Sequence, residues 1–212
     1  MIPKHENLRK NFIIVQIKNN TMNEKYMSTN RLEAFYDAII AIIVTILVLE
    51  LPQPATASIP SILALKTSYF AYLISFLVCT NLWQYHHLIY NHVERINAKI
   101  IWQNIFLLLI VSLIPYLTTF VANNPFSLLA EVLYGLDFII VNIILFWMAK
   151  SLLDVNSDQE HLSKALDVKN ALIIPFILFV FGLVFAFLGY PFAISICCLI
   201  SVIRSIVYSI KN

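Results

Sequence analysis

Six long apolar runs dominate this chain, at roughly residues 33–51, 67–88, 100–121, 131–149, 171–189 and 191–210. A helix needs about 20 mostly apolar residues to cross a bilayer, and each run is close to that length. Backbone N–H and C=O groups in lipid must find partners inside a helix or a closed barrel. None of the runs alternates apolar and polar residues as barrel strands do. The expected fold is therefore an all-α integral membrane protein with six transmembrane helices. Composition agrees: 60% of the 212 residues are hydrophobic and 12% are charged, with a mean hydropathy of +0.80. Soluble domains carry about 25% charged residues, so this chain lacks the charge to cover a water-facing surface.

Breaks between the runs follow from residue type. Pro52 and Pro54 close the first, because the residue before a proline resists helical geometry. Asn123, Asn124 and Pro125 separate the third from the fourth. Gly189-Tyr190-Pro191 is the only punctuation between the fifth and sixth, which predicts a tight hairpin. Pro115 and Pro175 predict kinks in the third and fifth spans.

Lysine and arginine fix the orientation. Lys4, Arg9, Lys10, Lys18, Lys25 and Arg31 lie before or at the start of the first span. Arg95 and Lys99 occupy the second connection, Lys150, Lys164 and Lys169 the fourth, and Arg204 and Lys211 the C-terminal end. Six spans with both termini in the cytoplasm place 13 of the 14 basic residues on one face and leave only Lys66 on the other. Residues 1–30 then form a polar cytoplasmic segment, and residues 31–212 a single six-span domain. No apolar core precedes a small-residue site in the first segment, so no cleaved signal is expected. Met22 and Met27 stand as alternative starts. Ser157-Asp158-Gln159-Glu160 has capping-box spacing, which opens a short cytoplasmic helix or belongs to a solvated linker.

Several chemistries are excluded. A net charge of +2 is too small to suggest a nucleic-acid partner. Three glycines provide no phosphate-cradling loop, no dinucleotide fingerprint and no glycine-containing carbonyl filter. Cys79, Cys197 and Cys198 lie inside apolar runs and read as small buried hydrophobes. No serine, cysteine or lysine has the base and orienter that a nucleophile needs, so the chain is not expected to be an enzyme. No cofactor or resident metal is expected.

Function is therefore sought where polar residues interrupt the spans, since an ionisable group at a span's centre costs about 2.5–3.5 kcal/mol on insertion scales. The first span opens with Arg31-Leu32-Glu33-Ala34-Phe35-Tyr36-Asp37. Asp37 lies about one turn inside the cytoplasmic end, where a helix N-terminus favours negative charge, and Arg31 has the place of a snorkelling anchor. Ala38, Ile42, Thr45 and Leu49 share one face, flanked by Ile46. A packed seam gives this pattern. So does a set of stacked rings, if several copies of the helix meet on an axis: Ile42, Ile46 and Leu49 as hydrophobic constrictions, Thr45 as a ring of hydroxyls. Spacing alone does not choose between them.

The second span ends in Trp83-Gln84-Tyr85-His86-His87, with His92 beyond. His87 and His92 resemble one box of a membrane di-iron enzyme, but such an enzyme needs several boxes and the chain has five histidines. A histidine here either bonds Asp37 on the neighbouring helix or belongs to an interfacial aromatic belt. Asn104 in the third span is suited to an interhelical hydrogen bond. Asp137 and Asn142 in the fourth either line a cavity or join helices.

Arg31-x-x-x-Phe35-Tyr36-Asp37, followed by an Ala/Ile run with Thr45 and then Leu49-Glu50-Leu51, closely resembles the first span of the transmembrane-protein-175 family of cation channels. There the signature is usually Arg-x-x-x-Phe-Ser-Asp. Trp83, His86 and His87 at the end of the second span and Asn104 to Pro115 in the third are also similar, so the likeness covers about residues 31–121. It implies a bacterial, plasma-membrane homotetramer that passes potassium and other monovalent cations through a pore lined by first spans, with no carbonyl filter. Animal relatives carry two six-helix units and sit in lysosomes.

By position, the resemblance implies that Ile42 is the main constriction and Ile46 and Leu49 are further narrow rings. Thr45 becomes the polar ring that potassium passes. Arg31, Phe35 and Asp37, with either His86 or His87, become a network holding the pore helix. Tyr36 departs from the usual serine, so packing beside Asp37 must differ. Two other readings stay open: a proton-coupled transporter using Asp137, Asn142 and the second-span histidines, and a structural membrane subunit without flux.

Overall fold

The computed structural model describes residues 29–91, 93, 95–156 and 172–211. The N-terminal segment before Thr29, its alternative starts, His92 and the capping-box sequence at 157–160 lie outside these residues. Every apolar run is helical, and no strand occurs among the described residues.

Helix α1 spans Asn30–Leu49, its first turn opened by the Thr29 carbonyl, which accepts from the N–H groups of Leu32 and Glu33. A short helix not anticipated from the apolar pattern, α2 (Ile59–Ala64), follows Ser58, whose hydroxyl accepts from Ser61 N–H at 3.4 Å. Helix α3 is Lys66–Tyr90 and, at 25 residues, the longest in this half. Asn97 caps α4 (Ala98–Val111) by accepting from Ile100 N–H at 3.1 Å.

The third apolar run differs from the expected kink. It divides into α4 and α5 (Ile114–Asn123), with the break at Ser112-Leu113. Pro115 has no N–H to return to the Val111 carbonyl, and its ring crowds that position, so the disruption falls one turn before the proline. Helix α6 runs Leu128–Val155, extending the expected span at both ends. Pro175 follows a wide, π-helical turn at Leu172-Ile173. It stands in the first turn of α7 (Ile174–Phe187), where a missing N–H costs nothing. Helix α8 is Ala193–Lys211. Gly189, at φ +97°, turns the chain between the last two helices, and Tyr190 N–H reaches back to the Phe185 carbonyl at 3.0 Å.

On length and composition, Asn30–Leu49, Ala98–Asn123 taken through its break, Leu128–Val155 and Ala193–Ile210 are each able to cross a bilayer, and Ile174–Phe187 is apolar but shorter. Helix α3 has the length, about 37 Å at 1.5 Å per residue, with Gln84, His86 and His87 near its end.

Helix α6 is the centre of the bundle: α4, α5, α7 and α8 all pack on it, while α3 packs between α1, α5 and α8. The buried polar groups act as ties between these helices, as expected where lipid offers no hydrophobic drive for helix association. Gln103 Nε2 donates to Ser151 Oγ at 3.0 Å, joining α4 to α6. Asn156, just past α6, clamps the backbone of Arg95 from both sides, at 3.0 Å and 3.1 Å. Glu131 Oε2 accepts from Ser195 N–H at 3.1 Å and from Ser195 Oγ at 2.7 Å. A carboxylate from α6 thus caps the first turn of α8, doing for a neighbouring helix what an N-cap side chain does locally.

Gly135 lets α6 approach this corner. A Cβ there would lie 2.5 Å from both Ile194 Cγ2 and Phe179 Cε2. Gly135→Val is expected to destabilise the bundle by about 1–3 kcal/mol through overpacking, seen as a lowered melting temperature in detergent. An unchanged melt would contradict the close α6–α7–α8 contact.

Candidate functional site

Helix α1 presents two unlike faces. Leu32, Tyr36, Ile40, Ile43 and Leu47 recur at helical spacing and are buried against the bundle. The opposite face, Ala38, Ala41, Ile42, Thr45, Ile46 and Leu49, is left uncovered by the rest of the chain. Ile42 is 53% exposed and Leu49 80%. The stripe read from the sequence is thus not a seam within one chain. Thr45 is the polar residue in it, and its Oγ1 donates to the Ile42 carbonyl at 2.7 Å. With its proton committed to its own helix, the hydroxyl can offer only oxygen lone pairs to whatever faces it.

At one end of this helix, Asp37 is exposed and Oδ1 accepts from Trp83 Nε1 at 2.9 Å. The expected histidine partner is absent: Asp37 is tied to α3 by the indole of Trp83, whose only polar group is a donor. His87 stacks on that indole, with ring centroids 5.5 Å apart and 8° between planes, and bonds Asn91 at 3.0 Å. Arg31 and Phe35 are exposed on α1, and no hydrogen bond or ion pair links Arg31 to Asp37, Trp83 or either histidine among the described residues.

His86 belongs to a second, buried cluster. Its ring lies between those of Tyr36, at 3.6 Å and 3°, and Tyr90, at 4.1 Å and 14°. His86 Nε2 and Asn104 Nδ2 are hydrogen-bonded at 2.8 Å, and Tyr90 Oη points its proton at Met148 Sδ at 3.8 Å. The residue that departs from the family signature is thus fully buried against α3. One position along the helix turns Tyr36 by 100° from Asp37, so the phenol packs on a histidine and leaves the Asp37–Trp83 contact clear. Trp83→Phe removes the donor and keeps most of the ring. It is expected to loosen the α1–α3 contact by about 0.5–1.5 kcal/mol, the net worth of one hydrogen bond, with little further loss when combined with Asp37→Asn. Additive effects in this double-mutant cycle would contradict the pairing.

The remaining polar residues do not converge. Asn142 Nδ2 donates to the Phe138 carbonyl of its own helix at 2.7 Å. Asp137 is buried beside Val78 and Ile114, and no bond joins it to Asn142 or to either histidine among the described residues. The residues named for a transporter site are therefore dispersed. Sequence reasoning missed the chain of hydroxyls linking Ser75 to Thr118 at 2.6 Å and to Tyr134 at 2.9 Å. It also missed Glu131. A carboxylate at the start of an apolar run was the available signal. The three cysteines are free and buried.

The family model for the endosomal/lysosomal potassium channel TMEM175 matches residues 31–115. A potassium channel of Chryseobacterium sp. (strain P1-3) is 32% identical over 166 residues, which are 78% of this chain and 86% of that protein. The chain belongs to the TMEM175 family. A second relative, a potassium channel of Chamaesiphon minutus (strain ATCC 27169 / PCC 6605), is 33% identical over 125 residues, 55% of this chain and 62% of its own length. The crystal structure of a lysosomal potassium-selective channel TMEM175 homolog from the same species superposes with a TM-score of 0.73 at 26% identity. That match covers 85% of this chain and 97% of the other. The TMEM175-matched residues contain both faces of α1, the Asp37–Trp83 contact and His86 with Tyr36, Tyr90 and Asn104, and end in the first turn of α5.

Proposed function

We propose that the chain is a potassium-permeable cation channel, formed by four copies whose α1 helices surround a common axis. The observation that carries this reading is the uncovered α1 face in a member of a family with named potassium channels. That face is apolar along its length, carries one outward hydroxyl and lies on the helix with the family signature. Around an axis, Ile42, Ile46 and Leu49 become hydrophobic constrictions that gate by dewetting, and four Thr45 oxygens replace part of an ion's water shell. Conduction is passive and needs no covalent chemistry. The six helical segments cross a bacterial plasma membrane with both termini in the cytoplasm, as the basic residues require.

One ring of hydroxyls is a weaker dehydrating set than stacked carbonyls, so preference for potassium over sodium is modest. Thr45→Ala removes the ring's oxygens and is expected to lower that preference, read as a shift of reversal potential toward zero under opposed potassium and sodium gradients. The function itself is tested by potassium flux from liposomes holding the purified protein. Gradient-driven flux supports the channel; no flux from protein shown to be an assembled tetramer, in wild type and in Ile42→Ala alike, overturns it.

A further inference from the structure

One carboxyl inside the bundle stands apart from the ties that join the helices. Asp137 is 7% exposed, and no hydrogen bond or ion pair reaches it among the described residues. It borders a small cavity between α3, α5 and α6, lined also by Val78, Ile114, Tyr134, Phe138 and Val141. The cavity has room for about one water molecule.

The hydroxyls nearby are already committed. Thr118 Oγ1 gives its single proton to the Ile114 carbonyl at 2.6 Å, so it can only accept from Ser75, 2.6 Å away. Ser75 has then used its own proton and must accept from Tyr134 Oη at 2.9 Å. The three protons run one way, from Tyr134 to Ser75 to Thr118 to a backbone oxygen, and none is left for Asp137. Other ionisable side chains within electrostatic reach are Cys79 on α3, Cys198 on α8 and Tyr134 on α6 itself. Glu131, nearly two turns away, is bound to Ser195. Helix α7 carries no ionisable residue, Tyr116 of α5 is exposed, and Lys99 of α4 lies over Trp147. Arg204 of α8 makes its interactions elsewhere, and among the described residues no positive group pairs with the carboxyl.

A bare carboxylate in this position would be an uncompensated buried charge, whereas a carboxylic acid brings its own donor and can share a water in the cavity. We propose that Asp137 is an internal proton-binding site. Its carboxyl holds a proton in the packed channel, and releasing that proton draws water into the seam where α3, α5 and α6 meet. Helices α3 and α5 both pack on α1, so the site acts on the ion path from outside it. This inference rests on the channel reading for its effect on flux, though not for the proton itself.

Infrared spectroscopy of protein carrying 13C-labelled aspartate reads the proton directly. A protonated aspartic-acid band at neutral pH that disappears in Asp137→Asn is the expected result. Potassium flux should change several-fold between mildly acidic and alkaline buffer in the wild type, and most of that change should vanish in Asp137→Asn. Val78→Asn, whose amide carries two donor hydrogens at similar bulk and so keeps one for the cavity, should move the loss of the band toward lower pH and serves if the first variant fails to fold. Absence of the band at neutral pH, or identical pH profiles of flux in wild type and Asp137→Asn, overturns the proposal. A present band with no flux at any pH leaves the proton site standing and counts against the channel.

Discussion

Ile42→Ala is expected to raise potassium flux about tenfold or more. Each substitution removes three carbons from the face of α1, and apolar burial is worth about 0.8 kcal/mol per carbon. In a fourfold ring the same change occurs at one level of the path, widening it and lowering the cost of keeping it wet. A fall of about 1.4 kcal/mol in the barrier already corresponds to tenfold in rate. Ile43, the next residue, is buried against the bundle, so Ile43→Ala acts through packing and is expected to lower the amount of folded protein with no gain in flux. The comparison between adjacent positions is what carries the test. Equal effects at 42 and 43 would mean that α1 does not turn its uncovered face to the ions.

Tyr36→Ser restores the residue usual in the family signature, yet it is expected to destabilise this protein by about 3–5 kcal/mol, the range for deleting a large buried ring. The ring of Tyr36 is fully buried and stacked on His86, which in turn stacks on Tyr90 and bonds Asn104. A serine leaves the first position of that stack empty. Tyr36→Phe keeps the ring and removes only the hydroxyl, whose oxygen is buried without a partner. Loss of an unsatisfied polar group is neutral or mildly stabilising. Thermal unfolding in detergent should therefore rank phenylalanine at or above the wild type and serine far below. A serine variant as stable as the wild type would show that the aromatic stack contributes little.

How much was legible beforehand depended on whether a property belonged to one segment or to a crossing of segments. Apolar run length is local, and all six runs are helical. The two faces of α1 are local too: Ile42, Thr45 and Leu49 share a stripe because of helical periodicity, and that stripe is the uncovered one. Partner choice between helices is not local. Trp83 reaches Asp37 in place of a histidine because of the angle at which α1 and α3 meet, which no spacing encodes. The same crossing sends His86 inward to Tyr36 and His87 outward to Trp83, a choice two adjacent histidines leave open. Pro115 and Pro175 both stand in the first turn of a helix, with regular α-helical geometry interrupted just before each. Glu131 and Ser195 lie 64 residues apart and meet only because α8 starts beside α6.

On the channel reading, the uncovered face of α1 lines a water-filled ion path. Thr45→Cys, in protein whose three native cysteines are replaced, tests it through block of potassium flux by a water-soluble thiol reagent. Rapid block at position 45, and none for Ile43→Cys treated alike, is the expected result. A Thr45→Cys protein that conducts and is neither modified nor blocked would place this face against lipid or protein and away from the ions.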